Sequence, residues 1–369
     1  MARTKSTSPT DTQDWGRFLI VEPREPSPPL TSDEQRVSAS PLDFSVQTLV
    51  DEVMKPAGRL YVDDWQRAYV WDNKKASRLI ESLLLNIPLP VCYFAEDQDG
   101  RLSIIDGNQR IKSLKRYVNN EFPLAGLTAL PESNRLRFHQ LPARLQNHIC
   151  TRAIRCIVID KYSPPRIKFD VFSRLNTAAT PLNDQELRNC LQRGTFNALL
   201  HELSHHDAWL QLMNKRKPDR RMRDAELILR FFLLTFHLET YQRPLHAFLT
   251  DEMDKMRFPT SDALDKMRTL FDRVVRRWLD FIGPGGAFRR LDASGTPYGR
   301  FLAGIFDAQM VGLARALSTT RSPNEVRQFT VDATRDDTPF MTTVLVGSSH
   351  VENVGSRIEQ YRIFFSRAS

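Results

Sequence analysis

The sequence predicts an α+β protein, a small mixed α/β domain followed by a longer, mainly α-helical one. Three observations carry that reading. Apolar runs of strand length alternate with amphipathic helix patterns as far as Tyr162. Beyond Tyr162 apolar residues recur almost throughout at helical spacing, as in Ile167, Val171 and Leu175. The run Leu102-Ser103-Ile104-Ile105 stops at Asp106-Gly107, and a helix pattern of Ile111, Leu114, Tyr117 and Val118 begins at once.

Residues 1–40 are rich in Pro, Ser, Thr and charge, and Glu22-Pro23-Arg24-Glu25-Pro26-Ser27-Pro28-Pro29 excludes helix and inner strand, so a disordered or loosely docked arm is expected there. The α/β domain is assigned to 41–162. Val46, Leu49, Val50 and Val53 predict a helix, with Gly58 just past its end, and Leu60-Tyr61-Val62 a short strand. Asp63 to Trp71 sets two Trp and a Tyr around Gln66-Arg67, an unusual composition for a plain loop. A helix from Asn73 carries Leu79, Ile80, Leu83 and Leu84 on one face and is stopped by Asn86-Ile87-Pro88-Leu89-Pro90. Val91 to Phe94 and Leu102 to Ile105 read as a hairpin around Asp97-Gln98-Asp99-Gly100. Phe122 to Leu127 and Ala153 to Ile159 read as further strands. The helical domain is assigned to 163–369, with helices near 183–192, 195–203, 224–237, 243–256, 260–282, 298–318 and 353–365.

With 41% hydrophobic and 26% charged residues, a net charge of +8 and a pI near 9.4, the chain favours polyanionic partners such as nucleic acid or nucleotides. Cys92, Cys150, Cys156 and Cys190 form no CxxC pair and read as reduced thiols of a cytoplasmic protein. MARTKSTSPT has no apolar signal core, and the longest apolar run, Leu227 to Phe236, is interrupted by Arg230, so no membrane association is expected.

Three constellations can carry chemistry. At the Asp106–Arg110 corner a strand feeds a helix through Gly107, which points backbone N–H groups outward as an anion site. Arg110 brings a planar donor fork to the first turn, where the helix dipole does not favour a cation, so another need keeps it there. The same corner also reads as an ordinary structural turn. Gln66-Arg67 with Trp65, Tyr69 and Trp71 is the second constellation, or else a packed aromatic loop. The third runs from Phe172 to Arg188, where a helix ends in the polar turn Asn176-Thr177-Ala178-Ala179-Thr180 and a second begins behind Pro181 and an Asn183/Asp184 cap with Glu186 close behind.

Taken in order, Gln66-Arg67-x-Tyr69-x-Trp71, a helix ending Ile87-Pro88-Leu89-Pro90, Asp106-Gly107-Asn108-Gln109-Arg110, and Arg174-x-Asn176-Thr177-x-x-Thr180-Pro181-Leu182 with Glu186-Leu187 resemble the N-terminal domain of the GmrSD type IV restriction enzymes, a relative of the ParB/sulfiredoxin-like fold. Arg223-Asp224-Ala225-Glu226 followed by Arg230-Phe231 is similar to that family's later helix. The resemblance implies a ParB/sulfiredoxin-like nucleotide-binding domain and Mg²⁺-dependent NTP hydrolysis in DNA-directed defence against phage. It implies Asp106, Gln109 and Arg110 as catalytic residues, with Asp106 the metal ligand. Gln66, Arg67, Gly107, Asn108, Asn176 and Thr177 would hold the nucleotide. The implied partners are a nucleoside triphosphate, DNA, a nuclease or other defence subunit, and a second copy of the chain. No His-rich nuclease pattern follows residue 250, so DNA cutting by this chain alone is not expected. Asn108 stands where the family has Gln, Asp63 where relatives often have Pro, and Ala178-Ala179 where they have Gly-Gly. The last departure favours the alternative of a non-enzymatic DNA-binding or adaptor subunit.

Two further motifs stand apart. His201-Glu202-Leu203-Ser204-His205 fits HExxH, with Glu226 as a third candidate ligand, and reads either as a zinc metalloenzyme site or as a packing helix. In Asn214 to Arg223, Lys215, Arg216, Lys217, Arg220, Arg221 and Arg223 form a basic run that suits DNA phosphates or a solvated loop.

Overall fold

A computed structural model describes residues 38–54, 58–61, 69, 71–97, 99–175, 182–316 and 319–367. A five-stranded mixed sheet is built from β1 (Ala39–Ser45), β2 (Leu60–Tyr61), β3 (Cys92–Glu96), β4 (Leu102–Asp106) and β5 (Ala153–Ile159), in the order β1-β5-β3-β4-β2. β5 pairs antiparallel with β1 and parallel with β3, β3 and β4 form the expected hairpin, and β2 runs parallel to β4. β1 starts at Ala39, inside the stretch read as arm; it lies at the sheet edge, where Pro41 is tolerated.

The period-two alternation of the strands gives the sheet two buried faces. Cys92, Phe94, Leu102, Ile104, Ile154, Cys156 and Val158 point to one of them. There they meet α1 (Val46–Met54), α2 (Asn73–Leu84), α3 (Asn108–Val118) and α4 (Ala143–Thr151). The intervening residues Ala95, Ile105 and Ile159 meet Phe169 and Phe172 of α5 (Pro165–Leu175) and Leu187, Cys190 and Leu191 of α6 (Asp184–Leu191). Helices on both faces leave the central strands apolar on both sides. α2 starts where Asp72 accepts from the Lys75 N–H, and its exit is taken by Asn86 at φ +58°.

Phe122 to Leu127 is not a strand. The Ala125 N–H goes to Ser77 Oγ, the Leu127 N–H to Asn134 Oδ1, and Leu124 exchanges backbone bonds with Leu136 and Arg135. Side-chain acceptors satisfy this backbone, while Phe122, Leu124 and Leu127 fill the core under α2 and α3.

A third core gathers α7 (Thr195–Ser204), α8 (Asp207–Leu212), α9 (Arg223–His237), α10 (Leu245–Lys255) and α11 (Ser261–Ile282) with the later helices α14 (Pro323–Ala333), α15 (Pro339–Leu345) and α16 (Val351–Ser366). The helix expected over 298–318 is divided into α12 (Ala303–Phe306), a π turn (Asp307–Val311) and α13 (Gly312–Arg315), and Tyr298 lies in a small hairpin instead. The wider π turn places Asp307 where Arg230 and Arg357 both reach it, with Asp307 Oδ2 2.6 Å from each. The Gln309 carbonyl in the same turn accepts from Trp278 Nε1 at 3.1 Å.

Asp307 and Arg357 are both inaccessible to water, so removing the carboxylate strands buried cations. Asp307→Ala is expected to cost about 3–5 kcal/mol. A lowered denaturant midpoint checks this, with Glu359→Ala, which breaks an exposed pair to Arg362, as the near-neutral control.

Candidate functional site

The corner between β4 and α3 is set by a close approach. Asp106, the last residue of β4, pairs with Tyr93, and the register of β3 shifts between Tyr93 and Phe94. Gly107 follows with φ +103°, in the left-handed region, and caps α3 without any side-chain bond. A Cβ on Gly107 would lie 2.5 Å from the Sγ of Cys92, which is wholly buried beneath it. Only glycine meets both conditions. The chain therefore enters α3 abruptly, and the first N–H groups of a helix have no partners within it.

Arg110 does not extend from this turn towards solvent. Its Nη1 donates to the Pro90 carbonyl, its Nη2 to the Val91 carbonyl at 3.2 Å, and Nη2 also pairs with Asp106 Oδ2. Only 12% of its side chain is exposed, against 48% for Asp106. This is the need that keeps a cation at the wrong end of a helix dipole: the fork ties the Ile87–Pro90 connector to the corner and fixes one oxygen of Asp106. Among the described residues nothing bonds the other oxygen, Oδ1.

Gln109 faces the preceding loop, where its Oε1 accepts from the Trp71 N–H at 3.4 Å. Ser113 Oγ donates to the Gln109 carbonyl at 2.7 Å and lies 2.9 Å from the Tyr69 hydroxyl. Arg116 covers the Tyr69 ring and Lys75 the Trp71 ring. Tyr69 and Trp71 thus anchor their loop on α3. Asn108 is half-buried in the first turn of α3. Gln66, Arg67, Trp65, Asn176, Thr177 and Ala178-Ala179 lie outside the described residues.

Beneath the corner, Cys92 and Cys156 are opposite each other in the parallel β3–β5 register. The hydrogen bond between the thiols holds Cys92 below the usual thiol range, helped by the Arg110 charge, and the same bond with burial pushes Cys156 up.

The capping box expected at α6 is present. Asn183 Oδ1 accepts from the Glu186 N–H, and Glu186 Oε2 from the Asn183 N–H. Arg221 reaches the same Glu186 oxygen at 2.9 Å, and Lys215 binds both oxygens of buried Asp224. Both were expected to meet DNA phosphate; the structure ties them into the fold, and leaves Arg216, Lys217 and Arg220 as the exposed members of the five.

The HExxH residues do not converge on a metal. His201 Nε2 lies 2.7 Å from Asn189 Oδ1 inside the core, Glu202 is held by Arg268 through both oxygens, and Glu226 faces Arg188. Among the described residues no three His, Cys, Asp or Glu groups could together hold a metal ion. A nucleotide's Mg²⁺ asks less, one or two carboxylates plus phosphate oxygens. Half-exposed Asp106 fits that requirement.

Residues 47–192 match the family model described as GmrSD restriction endonuclease, N-terminal domain. No curated protein matches the chain. No helix among the described residues is long and apolar enough to cross a membrane.

Burial, then the nearby His205, pushes His201 down to about 4. Unfolding restores its ordinary value near 6.5, so the unfolded chain takes a proton that the folded one refuses. The residue therefore leaves stability unchanged above pH 6.5 or so and withdraws it as pH falls towards 4. Urea midpoints are expected to show a loss of about 2 kcal/mol at pH 5 relative to pH 7 from this group, and His201→Gln to flatten that segment of the profile.

Proposed function

We propose, from a chain that carries a GmrSD restriction endonuclease N-terminal domain and so is restriction- and defence-related, that the Asp106–Arg110 corner binds a nucleoside triphosphate and hydrolyses it with Mg²⁺. The observation that supports this most is the α3 N-terminus: a left-handed Gly107 opens it, no side chain caps it, and a half-exposed carboxylate stands beside it. The phosphates would meet the α3 amides, and Asp106 would hold the metal, which supplies charge neutralisation when bound. Arg110 acts by holding Asp106 and the Pro90–Val91 connector in place, and Gln109 by fixing the loop that brings Gln66 and Arg67. In this reading hydrolysis serves recognition of DNA, with Arg216, Lys217 and Arg220 on its backbone and a nuclease supplied by a partner.

One observation favours a second reading, a non-enzymatic DNA-binding or adaptor subunit. The donor fork of Arg110 is already committed inside the protein, which takes away a cation that would stabilise a transferring phosphoryl group.

Titration calorimetry with each NTP and Mg²⁺, followed by phosphate release, separates the two. Binding with turnover is expected. Arg110→Ala, which frees Asp106, is expected to weaken binding about tenfold to a hundredfold, the range for hydrogen bonds to charged groups. No binding in the wild type, with DNA bound on a steep salt slope, selects the adaptor.

A further inference from the structure

The two most exposed large apolar side chains among the described residues are both aromatic, Tyr162 at 79% and Phe258 at 68%. Tyr162 lies between β5 and α5, and Phe258 follows α10. Each has a cation over its ring, Lys161 Nζ at 5.3 Å and the Arg257 guanidinium at 5.4 Å. A chain of contacts joins the two positions. The Lys161 carbonyl accepts from Lys168 Nζ at 3.2 Å, and Lys168 is within electrostatic reach of Asp254 and Arg257. Arg257 Nε in turn donates to the Arg193 carbonyl at 2.7 Å. Arg193 lies 3.6 Å over the Tyr61 ring, and the Tyr61 hydroxyl binds Asp97. Tyr61, Asp97, Lys168, Arg193, Asp254 and Arg257 are all half-buried. Five segments of the chain thus bring charged groups to one recess with two outward-facing rings on its rim.

The chemistry of a ligand follows from these parts. A ring that is four-fifths or two-thirds open offers a flat face to another flat group. Burial works against the charge on Lys168 and on Arg193, so an anion would be welcome beside either. The two carboxylates present the least opposition, since burial raises both Asp97 and Asp254, and Arg257 lies 3.7 Å from Asp254. Flat faces alternating with anions describe a nucleic-acid strand, and rings on a recess rim can take base faces only where the bases are unstacked.

We propose that this recess binds a short stretch of single-stranded nucleic acid, with bases on Tyr162 and Phe258 and backbone phosphates at Lys161 and Lys168. The surface is separate from the Asp106 corner and from the Arg216–Arg220 loop, and does not rest on nucleotide binding.

Fluorescence anisotropy of a labelled oligothymidylate with the full chain, without NTP, tests it. Both rings are exposed, so Tyr162→Ala and Phe258→Ala leave the fold intact, which thermal melting checks. Each single variant is expected to weaken binding about fivefold to a hundredfold, the range for one lost base stack, and the double variant more. A duplex of equal length is expected to be insensitive to both. The proposal is overturned if the oligonucleotide does not bind, if the double variant binds as the wild type does, or if duplex and single strand lose affinity equally.

Discussion

The site depends on one contact, the backbone of Gly107 lying directly over the Cys92 side chain. No side chain fits at that position, and the left-handed φ excludes other residues a second time. Because Cys92 is itself fixed between β4 and β5 in the middle of the sheet, the turn is referenced to the most rigid part of the fold. The consequences follow in order. β4 can end at Asp106, α3 can begin at Asn108, and Arg110, one turn on, returns to the Pro90 and Val91 carbonyls and to Asp106. A carboxylate and a set of helix amides are thereby held together before any ligand arrives, as preorganised electrostatic stabilisation requires.

Charge is treated differently in the region after α6. There it is buried and matched: Asp307 sits between Arg230 and Arg357, Asp224 takes Lys215, and Glu186 takes Arg221. These pairs explain why so basic a chain does not present all of its cations to solvent. They also tie the loop between α8 and α9 to the start of α6, since Asn183 Nδ2 donates to the Arg221 carbonyl at 2.7 Å. The exposed Arg216, Lys217 and Arg220 are therefore carried by an anchored loop.

Much of this was legible in the sequence, for identifiable reasons. The helices α2, α3 and α11 declare themselves because each carries a regular apolar stripe, and the β3–β4 hairpin because an Asp/Gly turn separates two apolar runs. Phe122 to Leu127 misleads because its apolar residues do face a core, while its backbone partners are side chains distant in sequence. α4 and α8 were passed over because they are short. α14 carried a readable signal in Ser322-Pro323-Asn324-Glu325, a capping box with Pro at the first turn. The corner itself was visible, but the partners of Arg110 were not. A first-turn Arg reads as a phosphate ligand until the Pro90 and Val91 carbonyls, brought close only by the sheet, are seen to occupy it. The HExxH motif shows the reverse, a local pattern whose side chains tertiary packing turns towards Asn189 and Arg268.

The central claim is that the α3 N-terminus receives phosphate. Amide hydrogen exchange, followed residue by residue with and without NTP and Mg²⁺, addresses it directly. The account predicts slowed exchange at the Asn108, Gln109 and Arg110 amides when nucleotide is added, and none with the free nucleoside. Unchanged exchange at these three amides under saturating nucleotide would contradict it.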